Sequence, residues 1–466
     1  MAAQRFDLVV VGSGTGLDVA NWAAEAGWKV AIVERDALGG TCLNRGCIPS
    51  KLLIHSADVM QTIQRAHLFG LQVGDVKVDW PAIVRRVTAS VDADSRGIEQ
   101  GLKGLDNPKL FQGAATFVGP KRLRVNGHEI EGERFLLASG ARPKIPAIPG
   151  LRDVPFMTST EALRREEQPR SMVVLGGGYI AAELAHFYGA LGTEVTIVHR
   201  RKLLLPREDE EIAAAFTAIY EQRFRVLLEA QAKRVRRDGG DIVLEAEQQG
   251  KRVEARGEAL LVAIGVEPNS DTLDVAKTGV ELDKEGFIAT DAYLETNVKG
   301  IFALGDALGR YMYKHAANHE APYAFQNMQE GEERVPVNYD AMPHAIFAGP
   351  QVAGVGVTEQ ELRSTGQAYL VGRWRYRDTA MGHALEEDDG FVKFLVAPET
   401  GKILGCHILG PEASTLIHEV IVAMKAGDGT LDNVTRAVHI HPALSEVIDR
   451  AATNLAHPGH ADHAEG

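Results

Sequence analysis

Twice in this chain a short apolar run ends in clustered glycines and continues into a helix-like run and a second apolar run. The first copy reads Phe6-Asp7-Leu8-Val9-Val10-Val11, then Gly12-Ser13-Gly14-Thr15-Gly16, Leu17 to Ala26, and Val30-Ala31-Ile32-Val33-Glu34. The second reads Ser171-Met172-Val173-Val174-Leu175, Gly176-Gly177-Gly178, Tyr179-Ile180-Ala181-Ala182-Glu183, and Glu194-Val195-Thr196-Ile197-Val198-His199. Uninterrupted apolar strands are buried on both faces, which demands a parallel sheet covered by helices. Glycines between strand and helix let the backbone approach a pyrophosphate at the helix N-terminus. The pattern therefore predicts an α/β fold with two Rossmann-like dinucleotide-binding domains. In the first, Gly12, Gly14 and Gly16 form the turn, and Glu34 lies at the distance expected for a ribose acceptor. Leu17 replaces the usual third glycine of the fingerprint, so helix and strand are expected to pack less closely there. In the second, Gly176 and Gly178 make the turn, and Tyr179 and Ile180 open the helix.

The second unit ends in His199-Arg200-Arg201-Lys202. An acid at this strand tip would accept from the ribose of NADH, whereas basic residues suit the 2′-phosphate of NADPH. A solvated basic turn is the alternative. A chain of 466 residues is expected to hold two to four domains. Its net charge of −13 argues against nucleic acid and anionic membrane as partners. Three cysteines are too few for a secreted disulfide framework. A strand pattern starting by Phe6 leaves no room for a signal peptide, and no apolar run reaches transmembrane length. The expectation is a soluble cytoplasmic protein with no metal site.

Two of the three cysteines lie in Gly39-Gly40-Thr41-Cys42-Leu43-Asn44-Arg45-Gly46-Cys47-Ile48-Pro49-Ser50-Lys51. A pair this close can form a disulfide at small loop-closure cost, and the short ring makes the bond easy to reduce. Pro49 is placed to start a helix whose free N–H groups would favour a thiolate. Half of a zinc site is the competing reading, but no second pair follows at matching spacing.

That segment closely resembles the active-site stretch of the flavoprotein disulfide reductases, the class I pyridine nucleotide-disulfide oxidoreductases, and the resemblance runs along nearly the whole chain. It implies FAD in the first dinucleotide site and NADPH or NADH in the second. Gly40, Thr41, Lys51, Ala115, Gly140 and Asp306 join Gly12, Gly14, Gly16 and Glu34 at the FAD. Gly265, His199, Arg200 and Arg201 join Gly176, Gly178, Tyr179, Ile180 and Glu183 at the nicotinamide nucleotide. Val266 stands where the family usually carries an arginine. Lys51 is expected near the flavin, paired with Glu183. Tyr179 matches the family's aromatic gate, a packed helix-start aromatic being the alternative.

His439-Ile440-His441-Pro442-Ala443-Leu444-Ser445-Glu446 resembles the family's HPxxSE motif. By that resemblance His441, oriented by Glu446, serves the dithiol of a partner subunit as acid/base, so a homodimer with shared active sites is implied. Cys47 would face the flavin, and Cys42 would attack a small-molecule disulfide. His439 is expected to be structural. The implied domains are 1–150 and 271–340 for FAD, 151–270 for NAD(P), and 341–456, an α+β dimerisation domain with an antiparallel sheet. A disordered tail is expected at 457–466.

Three stretches look closest to the mycothione reductase branch: Gly177 to Glu183, Lys314-His315-Ala316-Ala317-Asn318-His319-Glu320-Ala321, and Met381-Gly382-His383-Ala384-Leu385-Glu386. Dihydrolipoyl dehydrogenase, which would use NAD and a lipoyl-bearing partner, is the next reading. Mercuric reductase fits less well, because no cysteine pair stands near the C-terminus. An inert FAD-binding subunit is disfavoured by the full set Cys42, Cys47, His441 and Glu446.

Overall fold

The computed structural model describes residues 3–329, 331 and 333–458. Most of the expected tail, residues 459–466, lies outside these described residues.

The first sheet grows from β1 (Gln4–Val11) and β2 (Val30–Glu34), whose apolar residues are almost entirely buried. β1 runs parallel to β2 on one side and to His128–Leu137 on the other. Lys109–Gln112 extends the sheet beyond β2, while Arg122–Val125 and Ala115–Gly119 add antiparallel strands at the far edge. Ile301–Ala303 returns from much later in the chain to pair with His128–Leu137. The sheet thus has seven strands, and its core draws on both early and late sequence.

α1 (Gly16–Glu25) packs Gly16, Val19, Ala20 and Ala23 inward. A Cβ on Gly16 would sit 2.8 Å from Val10 Cγ1 and 3.1 Å from Ala138 Cβ. Close helix–strand packing is therefore preserved, contrary to the expectation drawn from Leu17. Gly16 supplies it one residue earlier, and Leu17 packs partly buried against the core.

α2 (Gly40–Arg45) and α3 (Cys47–Arg65) follow with only Gly46 between them. A Cβ on Gly46 would lie 2.9 Å from the Thr41 carbonyl oxygen, so only glycine lets the two helices meet this tightly. α3 starts at Cys47, two residues before the proline expected to open it. Pro49 occupies the third helical position, where its missing N–H is still one of the unpaired four. α4 (Trp80–Leu102) is capped by Asp79, whose carboxylate accepts from Ala82 N at 3.0 Å.

The second parallel sheet runs Arg225–Leu227, Glu194–Val198, Ser171–Leu175, Ala259–Val262. A three-stranded antiparallel sheet (Ala230–Asp238, Asp241–Gln248, Lys251–Gly257) covers it. The runs Leu136–Pro143 and Ala259–Asn269 each break into two pieces. Ala141–Pro143 and Val266–Pro268 pair with each other as a two-stranded link. The breaks fall at Gly140 (φ +66°) and Gly265 (φ +119°), conformations that glycine adopts without a steric penalty. Residues 343–456 build a six-stranded antiparallel sheet with Ala413–Lys425 and Glu446–Thr453 packed on it. Lys393 within that sheet is fully buried and holds Asp209 at 2.8 Å and Glu359 at 2.6 Å, tying the sheet to the segment that caps Glu210–Arg223. The architecture is α/β, with two Rossmann-like units and a C-terminal α+β unit.

Candidate active site

A cavity of about 980 Å³ runs from the turn after β1 to the cysteines and out past Lys314. Its size lies at the upper end of the ~300–1,000 Å³ common for ligand sites. Gly12, Gly14, Glu34, Gly40, Thr41, Ala115, Gly140 and Asp306 all line it. Gly12 (φ +107°) lies so close to the Ala138 carbonyl that a Cβ would meet it at 2.2 Å. The turn is thereby pinned, and the N-terminus of α1 faces the space a phosphate would take.

Glu34 is held open-handed. Its Oε2 accepts from Ser13 N at 2.9 Å and Ser13 Oγ at 2.6 Å, and its Oε1 accepts from Asp36 N at 2.9 Å. Ser13 drew no attention in the sequence, although a hydroxyl inside the glycine turn was the available signal. At the other end, burial and the neighbouring Glu320 push the Asp306 carboxyl up to about 6. An acid desolvated at the cavity wall fits a hydroxyl-bearing ligand that would donate to it. These residues fit an extended dinucleotide such as FAD. Bound FAD supplies two-electron exchange between a nicotinamide and sulfur.

Cys42 lies in the first turn of α2, and Cys47 begins α3; both are free thiols here and both line the cavity. Cys42 is pulled down to about 7, first by a hydrogen bond from the Cys47 thiol, then by Lys314 and by the backbone N–H groups of Cys47 and Ile48. Those N–H groups belong to the first turn of α3, where helix donors are unpaired. Cys47 is pushed the opposite way by its bond to Cys42 and by burial, while Lys51 opposes that rise. These contacts favour the thiolate form of Cys42 and disfavour that of Cys47.

Lys51 Nζ donates to both oxygens of Glu183 at 2.8 Å. Phe347 N donates to Glu183 Oε1 at 3.0 Å. Farther along the same two helices, Asp58 Oδ1 lies 2.9 Å from His186 Nε2, and Arg223 approaches His186 Nδ1 at 3.1 Å. α3 and Tyr179–Ala190 are thus clamped twice. Tyr179 is exposed into the cavity beside Ile180 and Glu183, and burial near Asp306 raises its phenol.

The other nucleotide-site candidates gather at the C-terminal end of the second parallel sheet. Gly176 (φ +137°) lies where a Cβ would meet the Ala263 carbonyl at 2.1 Å. Gly178 is open, and Gly265 borders the break in the following strand. Arg200 and Arg201 are exposed. His199 is not part of that basic tip. It is buried with its ring over Gly177, and burial plus Arg201 and Arg200 lower it to about 4. A ring this desolvated carries no charge near neutrality, so the positive tip is Arg200, Arg201 and Lys202.

His441 Nδ1 lies 2.9 Å from Glu446 Oε1, and that hydrogen bond lowers the Glu446 carboxyl. Neither residue lines the cavity that holds the cysteines; His441 is 72 % exposed and faces away from its own chain. His439 is half-buried against Glu419, with Nε2 at 2.5 Å from Oε1. Among the described residues, no cluster of three His, Cys, Asp or Glu side chains could hold a metal ion, and no helix is long and apolar enough to cross a membrane.

The pyridine nucleotide-disulphide oxidoreductase model matches residues 6–321, and the dimerisation-domain model of the same group matches residues 342–452. Mitochondrial dihydrolipoyl dehydrogenase 2 of Arabidopsis thaliana is 34 % identical over 463 residues, covering 96 % of this chain and 89 % of that protein. Mycothione reductase of Mycobacterium tuberculosis is 33 % identical over 463 residues, covering 97 % of this chain and 100 % of that one. Among solved structures, the HOCl-induced flavoprotein disulfide reductase RclA from Escherichia coli superposes with a TM-score of 0.85 at 27 % identity, covering 96 % of this chain and 99 % of that one. The chain belongs to the FAD-dependent pyridine nucleotide-disulfide oxidoreductases, enzymes that use NAD(P)H.

Proposed function

We propose that this enzyme is an NADPH-driven reductase of a low-molecular-weight disulfide, resembling mycothione reductase and acting as a homodimer. The observation that carries the reading is the Cys42–Cys47 pair, with an acidic Cys42 on α2 beside the first turn of α3 and the Lys51–Glu183 ion pair in the same cavity. The Cys42 thiolate attacks one sulfur of the substrate, and the substrate's S–S bond breaks. The departing thiolate takes a proton from His441 of the partner subunit, whose imidazole is oriented by Glu446. Cys47 gives its proton to the now neutral His441 of the partner subunit and, as thiolate, attacks the Cys42 sulfur; the second product leaves as a thiolate and takes that proton from His441. Two electrons and two protons return the Cys42–Cys47 disulfide so formed to two thiols; FAD, held by the residues that line the cavity from Gly12 to Asp306, would supply those electrons from NADPH.

The domain assignment that goes with this reading is 1–150 and 271–340 for FAD, 151–270 for NADPH and 341–456 for dimerisation. A cytoplasmic setting suits it, since product thiols stay reduced there. Arg200 and Arg201 at the strand tip favour NADPH. The 34 % identity to a dihydrolipoyl dehydrogenase supports a second reading, oxidation of a lipoyl dithiol with NAD. The test is anaerobic reduction of the purified holoenzyme by NADPH and by NADH, followed by reoxidation with lipoamide and a panel of small disulfides. Faster reduction by NADPH and reoxidation by a non-lipoyl disulfide are expected. Preference for NADH together with lipoamide turnover would replace the first reading by the second.

A further inference from the structure

α3 meets the helix Tyr179–Ala190 along one face, and two polar rungs cross the seam. In the first, Lys51 Nζ reaches both oxygens of Glu183 at 2.8 Å, and Phe347 N donates to Glu183 Oε1 at 3.0 Å. In the second, Asp58 Oδ1 lies 2.9 Å from His186 Nε2, and Arg223 Nη2 lies 3.1 Å from His186 Nδ1. Arg223 Nη1 also donates to the Gly349 carbonyl oxygen. Lys51 and Asp58 stand seven positions apart, so they share one face of α3, about 10 Å apart along its axis. Phe347 and Gly349 lie in the turn between Pro343–Ile346 and Val352–Gly356 of the C-terminal sheet. Each rung therefore ties the cysteine helix, the second nucleotide unit and the C-terminal sheet at one point.

The second rung fixes where the imidazole carries its proton. A guanidinium has only donors, so Nδ1 presents its lone pair to Arg223, and Nε2 carries the hydrogen given to Asp58. His186 has no exposed surface, and a Cβ on Gly349 would lie 2.8 Å from its Cε1 and 3.0 Å from its Nδ1. Backbone thus closes over the ring. Arg223 is backed by Tyr220 and Phe224, whose ring centroids lie 5.5 Å and 5.0 Å from its Cζ. A second proton on the imidazole would land on Nδ1. It would remove the acceptor that Arg223 uses and set two cations face to face in a buried site. We propose that His186 is a positioning residue for the cysteine helix: its neutral form locks α3 to the second nucleotide unit and the C-terminal sheet, and protonation at Nδ1 opens that lock. The proposal is independent of which nucleotide or disulfide the enzyme takes.

The charged and titratable groups around the ring come from each packed element. α3 brings Asp58, with Lys51 about two turns away. The ring's own helix brings Glu183. Glu210–Arg223 brings Arg223 and Tyr220, whose hydroxyl donates to the Ala182 carbonyl at 2.9 Å. The turn at Gly349 brings its backbone. Burial and Arg223 hold His186 below the ordinary histidine range, and Asp58 opposes them. At neutral pH the lock is therefore closed, and it opens on the acid side.

The experiment follows hydrogen exchange of α3 in the holoenzyme by peptide mass spectrometry, as protection factors from about pH 8 to about pH 4.5. In the unsubstituted enzyme protection is expected to fall toward the acid end, by up to about tenfold per pH unit once the ring takes its proton. His186→Gln offers an acceptor to Arg223 and a donor to Asp58 but cannot titrate. It should match the unsubstituted enzyme at neutral pH and hold its α3 protection into the acid range where that enzyme loses it. Asp58→Asn keeps an acceptor and removes the charge that favours the proton, so its fall should shift to lower pH. His186→Leu breaks the rung and should lose roughly tenfold in α3 protection at neutral pH. It should also slow the opening of the Cys42–Cys47 bridge, counted as free thiols after adding NADPH or NADH, whichever reduces the unsubstituted enzyme faster; His186→Gln should restore that rate. The glutamine variant carries the test if leucine prevents folding. Equal acid losses in the unsubstituted and His186→Gln enzymes, or none in either, would overturn the proton dependence. Unchanged protection and bridge opening in His186→Leu would overturn the positioning role.

Discussion

Lys51 Nζ sits 2.8 Å from both carboxylate oxygens of Glu183, joining the helix that begins with Cys47 to the helix that opens the second nucleotide unit. Glu183 is buried while Lys51 keeps partial access to the cavity. Removing the lysine leaves a desolvated carboxylate with only Phe347 N as donor. Lys51→Met should therefore cost about 1–3 kcal/mol, read as a lower denaturation midpoint in urea, and should also slow NADPH-to-dye electron transfer. Glu183→Gln keeps an acceptor for the ammonium and should cost less. A Lys51→Met enzyme as stable and as fast as the unsubstituted one would contradict the pair's importance.

The sulfurs divide the reaction in two. Cys42→Ser should abolish disulfide reduction, a loss of more than about 10³ in kcat, because no thiol remains to attack substrate. Electron transfer from NADPH to an artificial dye needs only the flavin and should persist. Steady-state assays with both acceptors check this, and disulfide turnover in the serine variant would refute the assigned attack.

His441 projects away from its own cavity, next to Ile440 at 76 % and Val438 at 98 % exposure. Apolar side chains this open on a dimerisation unit need a second copy to cover them. Ile440→Lys should weaken the dimer, seen by light scattering, and disulfide turnover should fall in parallel while dye reduction continues. His441→Ala should leave the dimer intact and slow the thiol steps by about 10²–10⁴, the usual worth of a general acid. Equal slowing of flavin reduction would argue against that role.

Burial lowers His199 to about 4, so the unfolded chain, with an ordinary histidine, binds the extra proton between that value and about 6.5. Above pH 6.5 both states are neutral at this residue and it contributes nothing to the pH dependence. As pH falls through 6.5 the unfolded state is favoured, and at pH 5 the penalty should be on the order of 2 kcal/mol. His199→Phe should flatten the fall in urea midpoint between pH 7 and pH 5. An identical fall in both proteins would mean that His199 does not bury its ring in solution.

The location of a residue along the chain proved a poor guide to its surroundings in three places. Gly16 does the close packing that the fingerprint assigns to the next residue, because α1 starts there and points its bare face at Val10. His199 looked like part of the basic tip, yet it directly follows the buried strand Glu194–Val198 and packs over Gly177, while Arg200 and Arg201 lie on the exposed turn beyond it. Lys314 carried no readable role, since its partner Thr15 is almost three hundred residues away and only the helix Lys314–Met328 brings them together.

What the amino-acid sequence determined by itself was everything local. Glycine-rich turns after apolar strands dictated two parallel sheets, and close spacing brought the Cys42 and Cys47 thiols together, because backbone reach and side-chain period act over a few residues. Tertiary structure alone decided that Lys51 meets Glu183, that Glu34 is braced by Ser13, and that His441 is exposed. Those depend on burial and on the meeting of distant segments, which set the local dielectric and the direction of each hydrogen bond.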